Sequence, residues 1–183
     1  MTTKSFRTDS TVCLNEGNIM SSDMIRVNSI CTHPLWIECV GHIRDLEKER
    51  IFCRHDICHF LDVARIAWIE NLEKDFHICR ELIYAAAMLH DIGRHLQYLQ
   101  DIPHDEASAS ISAEILKDTD FTPDEQAEII TAIRRHRTQE IASGDNLAGL
   151  IYRADKKSRM CAFCTACDEC NWPETKKNMK ITV

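Results

Sequence analysis

The chain has 183 residues and a hydrophobic content of 44%, which suits one domain with a packed core and is too little for two large ones. Charged residues make up 28% and the formal net charge is −7. This balance argues against a general nucleic-acid-binding protein, because phosphate backbones attract a positive surface. A small phosphorylated ligand stays compatible with it, since a few cations in one pocket suffice.

Glycine and proline are scarce, at 5 and 4 residues, which favours helices joined by short loops over a sheet with many turns. No apolar run approaches the ~18 residues of a membrane-spanning helix, and the N-terminal segment lacks the apolar centre of a secretion signal. We therefore expect an all-α, cytoplasmic protein. Its 10 cysteines would then be thiols or metal ligands rather than disulfides.

Residues 1–30 are polar and lack periodicity, so we predict a flexible arm with at most one helical turn between Met20 and Val27. Apolar residues then recur at three- and four-residue intervals, the pattern of amphipathic helices packed in a bundle. The bundle is predicted to occupy residues 31–160, and a cysteine-rich tail follows at 161–183. Its six predicted helices lie near 33–50, 55–69, 83–93, 106–117, 122–136 and 147–159.

Two of these helices carry further signals. The segment ELIYAAAMLHDIG is apolar on most sides, so the third helix is predicted to lie at the centre of the bundle and to break at Gly93. The fifth helix is predicted to begin with Thr122 as N-cap, Pro123 in the first position and Glu125 closing a capping box.

The dipeptide His90-Asp91 follows the apolar run of the third helix. Adjacent residues of a regular helix point about 100° apart, so they can share one metal ion only near a helix end, which Gly93 supplies. A buried carboxylate beside a buried imidazole is costly unless it is paired or bound to metal. Taken alone, the dipeptide is better explained by a helix cap beside a satisfied core histidine than by metal binding.

Four more candidate ligands lie on inward faces of the predicted helices. His59 belongs to a core-facing stripe of the second helix, and Asp155 to the inward face of the sixth. His104 stands at a loop-to-helix junction, and His136 on the inward side of the fifth helix. Imidazole and carboxylate groups together suit divalent transition metals. Packing alone does not account well for so many such side chains, so we predict a buried metal site.

The order His59, His90-Asp91 and Asp155 resembles the signature that names the HD superfamily of metal-dependent phosphohydrolases. The surrounding segments HFLDVARIA, AAAMLHDIGR and LIYRADKKSR resemble it as well. His104 in IPHDEASAS and His136 in ITAIRRHRT resemble the two extra histidines of the binuclear branch. That branch includes bacterial diadenosine-tetraphosphate hydrolases and cyclic-nucleotide phosphodiesterases. The resemblance covers about residues 50–160 and implies the HD-domain helical bundle.

The resemblance also implies a ligand set and a reaction. One divalent ion would be held by His59, His90, Asp91 and Asp155, and Asp91 would bridge to a second ion held by His104 and His136. The metal stays open among Fe, Mn, Zn, Ni and Mg, as one or two ions. A metal-activated water would attack phosphorus in a nucleotide or a related small phosphate ester.

Cationic side chains near these motifs are candidate phosphate clamps. With Asp91, the candidate catalytic residues are Arg94, Lys156 and Arg159, because charge on a transferring phosphoryl group must be neutralised. Lys157 is a weaker candidate, for which a solvated surface position is an equal alternative. The chain departs from the family where Asp62 replaces a frequent arginine and Arg94 a frequent lysine. Both departures bear on the substrate more than on the metal.

The tail carries Cys161, Cys164, Cys167 and Cys170 at the spacing C-x2-C-x2-C-x2-C. Four thiolates this close could bind zinc or an iron–sulfur cluster. The run resembles part of a bacterial ferredoxin motif, although its last gap is two residues rather than three. The alternative is a short helix with cysteines on several faces.

Three further histidines and three further cysteines are not interpreted as metal ligands. His55 is placed near a helix start, behind the metal ligands, and His77 and His95 are placed on the surface. Three other cysteines are interpreted as buried thiols: Cys53, Cys58 and Cys79.

The leading functional hypothesis is a phosphohydrolase acting on a small phosphorylated substrate, a nucleotide above all. One alternative is a non-catalytic metal or redox sensor that uses the HD site and the cysteine tail. Another is an iron-dependent oxygenase on the same scaffold. Neither duplex nucleic acid nor a membrane is expected as a partner, and a homodimer is left open.

Overall fold

The computed structural model describes residues 23–181, and every regular element in that range is helical. The all-α prediction is confirmed. Eight α-helices follow in chain order: α1 Ile25–Thr32, α2 Pro34–Leu46, α3 Ile57–Glu73, α4 Arg80–Leu89, α5 Arg94–Gln100, α6 His104–Leu116, α7 Pro123–Arg135 and α8 Leu147–Lys157. Short 3-10 turns lie at Gln139–Ile141, Cys161–Phe163 and Glu174–Lys176. None of the helices in residues 23–181 is long and apolar enough to cross a membrane.

Helix α1 corrects the predicted N-terminal arm. Residues 25–27 fall within the helical turn that was predicted, whereas residues 28–30 are helical rather than flexible, and Val27 and Ile30 are buried in the core. Arg26 fixes this helix, because its guanidinium pairs with Glu81 at 2.6 Å and with Glu125 at 2.9 Å. These partners come from distant segments, so residues 25–30 carry no local sign of order. Met20, where the helical turn was predicted to start, lies outside the described residues.

Helix α5 was also missed. Its seven residues follow Gly93, where the sequence predicts the end of a helix and then a loop. A helix this short and half-exposed has too few apolar positions to show a period. Its C-cap is Asp101, whose backbone is left-handed with φ 56°, two residues before Pro103.

The helix that carries His59 begins later than predicted. Asp56 is its N-cap and accepts a hydrogen bond from the His59 amide at 3.0 Å, so His55 precedes the helix. The predicted start of α7 is confirmed: Thr122 accepts from the Glu125 amide, and the Glu125 side chain accepts from the Thr122 amide. These bonds satisfy amides that a helix start otherwise leaves without partners.

Helix α4 lies at the centre of the bundle, as predicted, and packs against α1, α3, α7 and α8. Seven of its ten residues are buried. The Trp36 indole of α2 donates to the Met88 carbonyl at 2.9 Å, near the C-terminal end of α4. His90 and Asp91 follow directly, so the central helix delivers both side chains into the interior.

Helices α3 and α8 are joined by a buried acid. Glu70 of α3 accepts from Arg153 at 2.5 Å and from Lys157 at 2.9 Å, both on α8. Arg153 also donates to the carbonyls of Ala142 and Gly144, at 2.9 and 2.8 Å. This network fixes the rotation of α8, and with it the direction in which Asp155 points.

Candidate metal centre

The fold brings all six predicted ligands into two buried groups. The first group contains His59, His90, Asp91 and Asp155; the second contains Asp91, His104 and His136. Within each group, one potential ligand atom per residue lies within 4.8 Å of all the others. Asp91 belongs to both groups, so they form one continuous site.

The two carboxylate oxygens of Asp91 face different groups. Its Oδ2 lies 3.3 Å from His90 Nε2 and 3.6 Å from His59 Nε2. Its Oδ1 lies 3.2 Å from His104 Nε2 and 3.6 Å from His136 Nε2. On the far side of the first group, Asp155 Oδ1 lies 3.5 Å from His59 Nε2. A carboxylate shared in this way is suited to bridge two ions.

Gly93 sets the position of the His90-Asp91 turn by its small size. A Cβ atom on Gly93 would lie 2.3 Å from the backbone nitrogen of Ser108, and the Gly93 amide donates to the Ser108 hydroxyl at 2.9 Å. Its φ of −82° is open to any residue, so glycine is needed for the close approach of α6 and not for a left-handed turn.

Two of the histidines have a defined orientation. His90 Nδ1 lies 2.7 Å from the Ala87 carbonyl, and His136 Nδ1 lies 2.6 Å from the Ile133 carbonyl. A carbonyl only accepts, so each Nδ1 must donate, which leaves the Nε2 lone pair of a neutral ring directed into the site. A hydrogen bond of this kind is the usual support for a metal-binding imidazole.

The distances between the polar atoms of the site suit metal coordination better than direct hydrogen bonds. His90 Nε2 and Asp91 Oδ1 are buried without a hydrogen-bond partner. The nitrogen–oxygen distances of 3.2–3.6 Å around Asp91 exceed the ~2.7–2.9 Å of a charge-assisted hydrogen bond. Two ligands bound at ~2.1 Å to one ion stand roughly 3.0–3.4 Å apart. The site therefore has the spacing of a coordination shell.

The pKa values of His59, His104 and Asp91 suit a metal. Burial lowers the pKa of His59 to about 4 and that of His104 to about 2, so both rings are neutral near pH 7, as a ligand must be. Burial alone would raise the pKa of Asp91, but the His90 and His55 rings hold it well below its usual range. Asp91 is therefore an anion. Burial alone would lower the pKa of His90, but the Asp91 charge raises it, so a metal that binds His90 must displace a proton.

Comparison with known proteins agrees with this geometry. The HD domain profile matches residues 56–160. This chain belongs to the HD domain family. It is 44% identical over 158 residues to an uncharacterized protein of Clostridium beijerinckii, covering 86% of this chain and 99% of the relative. The crystal structure of a predicted HD superfamily hydrolase from an uncultured Thermotogales bacterium is similar at a TM-score of 0.56 and 26% identity, covering 78% of this chain and 81% of that one.

The two His/Asp groups together form the HD site, which opens into a cavity of about 480 Å³. Asp91, His104, His136 and Asp155 face it, whereas His59 and His90 lie behind them. Among the described residues, five cationic side chains line the cavity: Arg50, Arg94, Arg137, Lys156 and Arg159. They outnumber its two carboxylates, although the whole chain is acidic. This local excess of positive charge suits an anionic ligand.

The three predicted clamp residues Arg94, Lys156 and Arg159 each contact a candidate ligand. Arg94 Nη1 lies 2.6 Å from His104 Nδ1, and Lys156 Nζ lies 2.6 Å from Asp155 Oδ2. Arg159 Nη2 lies 3.1 Å from His59 Nε2, the nitrogen that faces the carboxylates, so metal binding there requires this guanidinium to withdraw.

Lys157, the weaker clamp candidate, lies elsewhere. It pairs with Glu70 at 2.9 Å and does not line the cavity, because residues adjacent on a helix point in different directions. Arg50 and Arg137 are cavity residues that the sequence did not reveal. The nearest sign was their position, Arg50 in the charged stretch after α2 and Arg137 directly after His136.

His55 lies beside the ligands, on the cavity wall. Its Nδ1 lies 2.5 Å from Glu47 Oε1, and its Nε2 lies 3.8 Å from Asp91 Oδ2. Tyr98 donates to the same Glu47 oxygen at 2.5 Å. Burial alone would raise the pKa of Glu47, but the hydrogen bond from His55 lowers it to about 2. An ionised Glu47 therefore anchors the ring in one orientation.

Some surface and thiol assignments need correction. His95 is buried rather than exposed, because its ring packs against His42 at 5.3 Å and its Nδ1 lies 3.0 Å from the Ile92 carbonyl. His77 is exposed, as predicted. Cys58 is exposed, Cys53 is only half-buried, and Cys79 is half-buried and disulfide-bonded rather than a buried thiol. Cys53 lines a second cavity with the four tail cysteines Cys161, Cys164, Cys167 and Cys170.

Proposed function

We propose that this protein is a metal-dependent phosphohydrolase that acts on a nucleotide or a related small phosphate ester. The observation that carries the proposal is the combination, in one cavity, of the His/Asp groups joined by Asp91 with five cationic side chains. The similar Thermotogales protein is described as a predicted HD superfamily hydrolase, which supports hydrolysis as the class of reaction.

The metal of this proposal is a divalent transition ion, as one or two ions. The residues that would hold it are those of the two groups: His59, His90, Asp91 and Asp155, then Asp91, His104 and His136. When bound, such an ion supplies a coordinated water with a pKa near neutrality, which is a nucleophile for phosphorus.

The cations bind and orient the phosphate. Arg94 contacts His104 of one group, and Arg159 contacts His59 of the other, so their guanidiniums flank the site from both sides. A planar guanidinium matches two phosphate oxygens and remains charged at any physiological pH. A phosphate held between the two arginines would lie in the cavity that Asp91 also lines. Lys156, beside Asp155, adds a third positive charge.

The cavity has the dimensions and lining for a nucleotide. Its volume of about 480 Å³ lies within the roughly 300–1,000 Å³ of small-molecule sites. Phe52 and Trp172 contribute aromatic surface to the cavity wall, and a base can stack on an aromatic face. The proposed substrate is therefore a small molecule and not duplex nucleic acid. Eight of the described cysteines are free thiols, as in a reducing compartment such as the cytoplasm, whereas Cys79 is disulfide-bonded.

The experiment is hydrolysis of a substrate panel by the metal-loaded protein. The panel contains nucleoside monophosphates, cyclic nucleotides, dinucleoside polyphosphates and a generic aryl phosphate. We expect hydrolysis of at least one class of nucleotide by the wild-type protein. This activity should be lost in the His90→Ala, Asp91→Ala variant. The Arg44→Ala variant is the matched control, because Arg44 is exposed on α2 and outside the cavity. Metal binding without hydrolysis of any substrate would contradict the proposal and favour a sensor or an iron-dependent oxygenase.

A further inference from the structure

Five cysteines from two separate parts of the chain line one cavity. Four of them form the tail run Cys161, Cys164, Cys167 and Cys170, and the fifth, Cys53, comes from the loop before α3. All five are free thiols, and Cys161 is buried. Apart from these thiols, the cavity is lined by Phe52, Met160, Trp172 and Lys177.

The backbone of the tail brings the four cysteines around one centre. The Cys164 amide donates to the Cys161 carbonyl at 3.1 Å, Cys167 to Cys164 at 3.1 Å, and Cys170 to Cys167 at 3.3 Å. The 3-10 turn at Cys161–Phe163 ends at Cys164, whose ψ of 123° is extended. The run is therefore a series of turns that curves around the cavity. The alternative of a helix with cysteines on several faces does not describe it.

Contacts from the last described residues hold the tail against the bundle. The Asn178 side chain donates to the carbonyls of Lys156 and Arg159, at 2.6 and 2.7 Å, at the end of α8. Lys177 Nζ donates to the Cys167 carbonyl at 3.0 Å, which places an ammonium group beside the thiols. Burial raises the pKa of the Cys167 thiol, and this ammonium partly offsets the rise in favour of the thiolate, the form in which cysteine binds metal.

We propose that Cys161, Cys164, Cys167 and Cys170 bind a [4Fe–4S] cluster, with Cys53 completing the sulfur-lined wall. A single zinc ion at ~2.3 Å from four sulfurs requires them to stand about 3.8 Å apart. In the described residues, the compact groups with ligand atoms all within 4.8 Å are the two His/Asp groups, and the cysteines form no third one. A cluster attaches each thiolate to a different iron, so it needs this wider spacing, and three-residue intervals are typical of its ligands.

The proposed cluster site adjoins the HD site. Phe52, Cys53, Cys170 and Trp172 line both cavities, so they form a shared wall. A cluster bound to Cys170 would fix this wall and hold the neighbouring Trp172 in place. The proposal is independent of the reaction at the HD site, and it stands or fails by its own measurement.

The test is anaerobic reconstitution of the 183-residue chain with ferric iron, sulfide and a thiol reductant that supplies the electrons for the mixed-valence cluster, followed by iron and acid-labile sulfide analysis. Sulfide is the decisive readout, because the HD site can also take up iron. We expect about four sulfides per chain with a broad visible absorption band. Cys164→Ser should lose both signals, and Cys58→Ser, at an exposed cysteine outside the cavity, should keep them.

Three outcomes would overturn the proposal. They are wild-type protein without bound sulfide, one zinc retained per chain with no sulfide uptake, and equal loss of sulfide in both variants. Circular dichroism of each variant separates loss of the cluster from loss of the fold. If Cys164→Ser is unfolded, Cys167→Ser replaces it, since Cys167 is half-exposed and closer to the chain end.

Discussion

Asp91 Oδ1 lies 3.2 Å from the Nε2 atom of His104, a residue of the next long helix, while Asp91 Oδ2 faces His90 and His59. One carboxylate thus joins two ligand groups from different parts of the bundle. Because each group uses a different oxygen of Asp91, substitution of the histidines in one group should remove the metal ion there and leave the ion in the other group.

We predict that His104→Ala with His136→Ala removes one metal equivalent and leaves the other. Asp91→Ala should remove both or weaken both at least tenfold, because its carboxylate belongs to both groups. Isothermal titration with Mn²⁺ or Zn²⁺ measures the stoichiometry. Equal loss of bound metal in the His104→Ala, His136→Ala variant and in Asp91→Ala would mean that the protein binds a single ion.

Replacing Arg94 or Arg159 by Ala should raise KM for a phosphate substrate about 10- to 100-fold, because each removes a charged hydrogen-bond donor worth roughly 1.5–3 kcal/mol. Steady-state kinetics of the wild type and of each variant measures the change in KM. Arg44→Ala should leave KM unchanged, since Arg44 is exposed outside the cavity. An unchanged KM in both cavity variants would exclude these arginines from phosphate binding.

Glu47→Gln should lower kcat for phosphate release about tenfold and leave the metal content nearly unchanged. The reason is that Glu47 orients His55 and does not contact the metal ligands. Separate measurement of kcat and metal content checks this. The control is Glu49→Gln, at an exposed position of the same segment. If Glu47→Gln instead loses the metal, then His55 is itself a ligand.

Glu70→Gln should destabilise the fold by ~1–3 kcal/mol at neutral pH, since Glu70 accepts from Arg153 and Lys157. Burial alone would raise the pKa of Glu70, but its bonds to Lys157 and Arg153 lower it. The ion pairs therefore stabilise the fold above the ordinary carboxyl pKa, and this stabilisation is lost as pH falls through the lowered value.

Urea unfolding of wild type and Glu70→Gln at several pH values measures this difference, which should shrink in acid. Exposed Glu73 on the same helix provides the control variant Glu73→Gln. A difference between wild type and Glu70→Gln that persists unchanged in acid would mean that the charge of Glu70 does not stabilise the fold.

Features that depend on neighbouring residues could be predicted from the sequence. The capping box at Thr122 is local chemistry, and the apolar run before His90 identified the central helix and the ligand pair. The position of Asp155 followed from helical spacing and the family pattern. These predictions needed little knowledge of distant contacts.

Features created by long-range contacts could not be predicted. Arg50 and Trp172 reach one cavity from positions more than a hundred residues apart, and Cys53 joins the tail cysteines across a similar separation. His95 was misplaced for the same reason, because its burial depends on His42 of another helix. No local pattern records which distant segments meet.

The most direct test of the account is phosphate release by the wild-type protein before and after metal removal. The protein is stripped with a chelator, assayed on its best nucleotide substrate, and assayed again after divalent metal is restored. We predict that activity is lost on stripping, returns with metal, and never appears in His90→Ala, Asp91→Ala. Activity that survives full removal of metal, or that persists in this variant, would contradict a metal-dependent phosphohydrolase at the HD site.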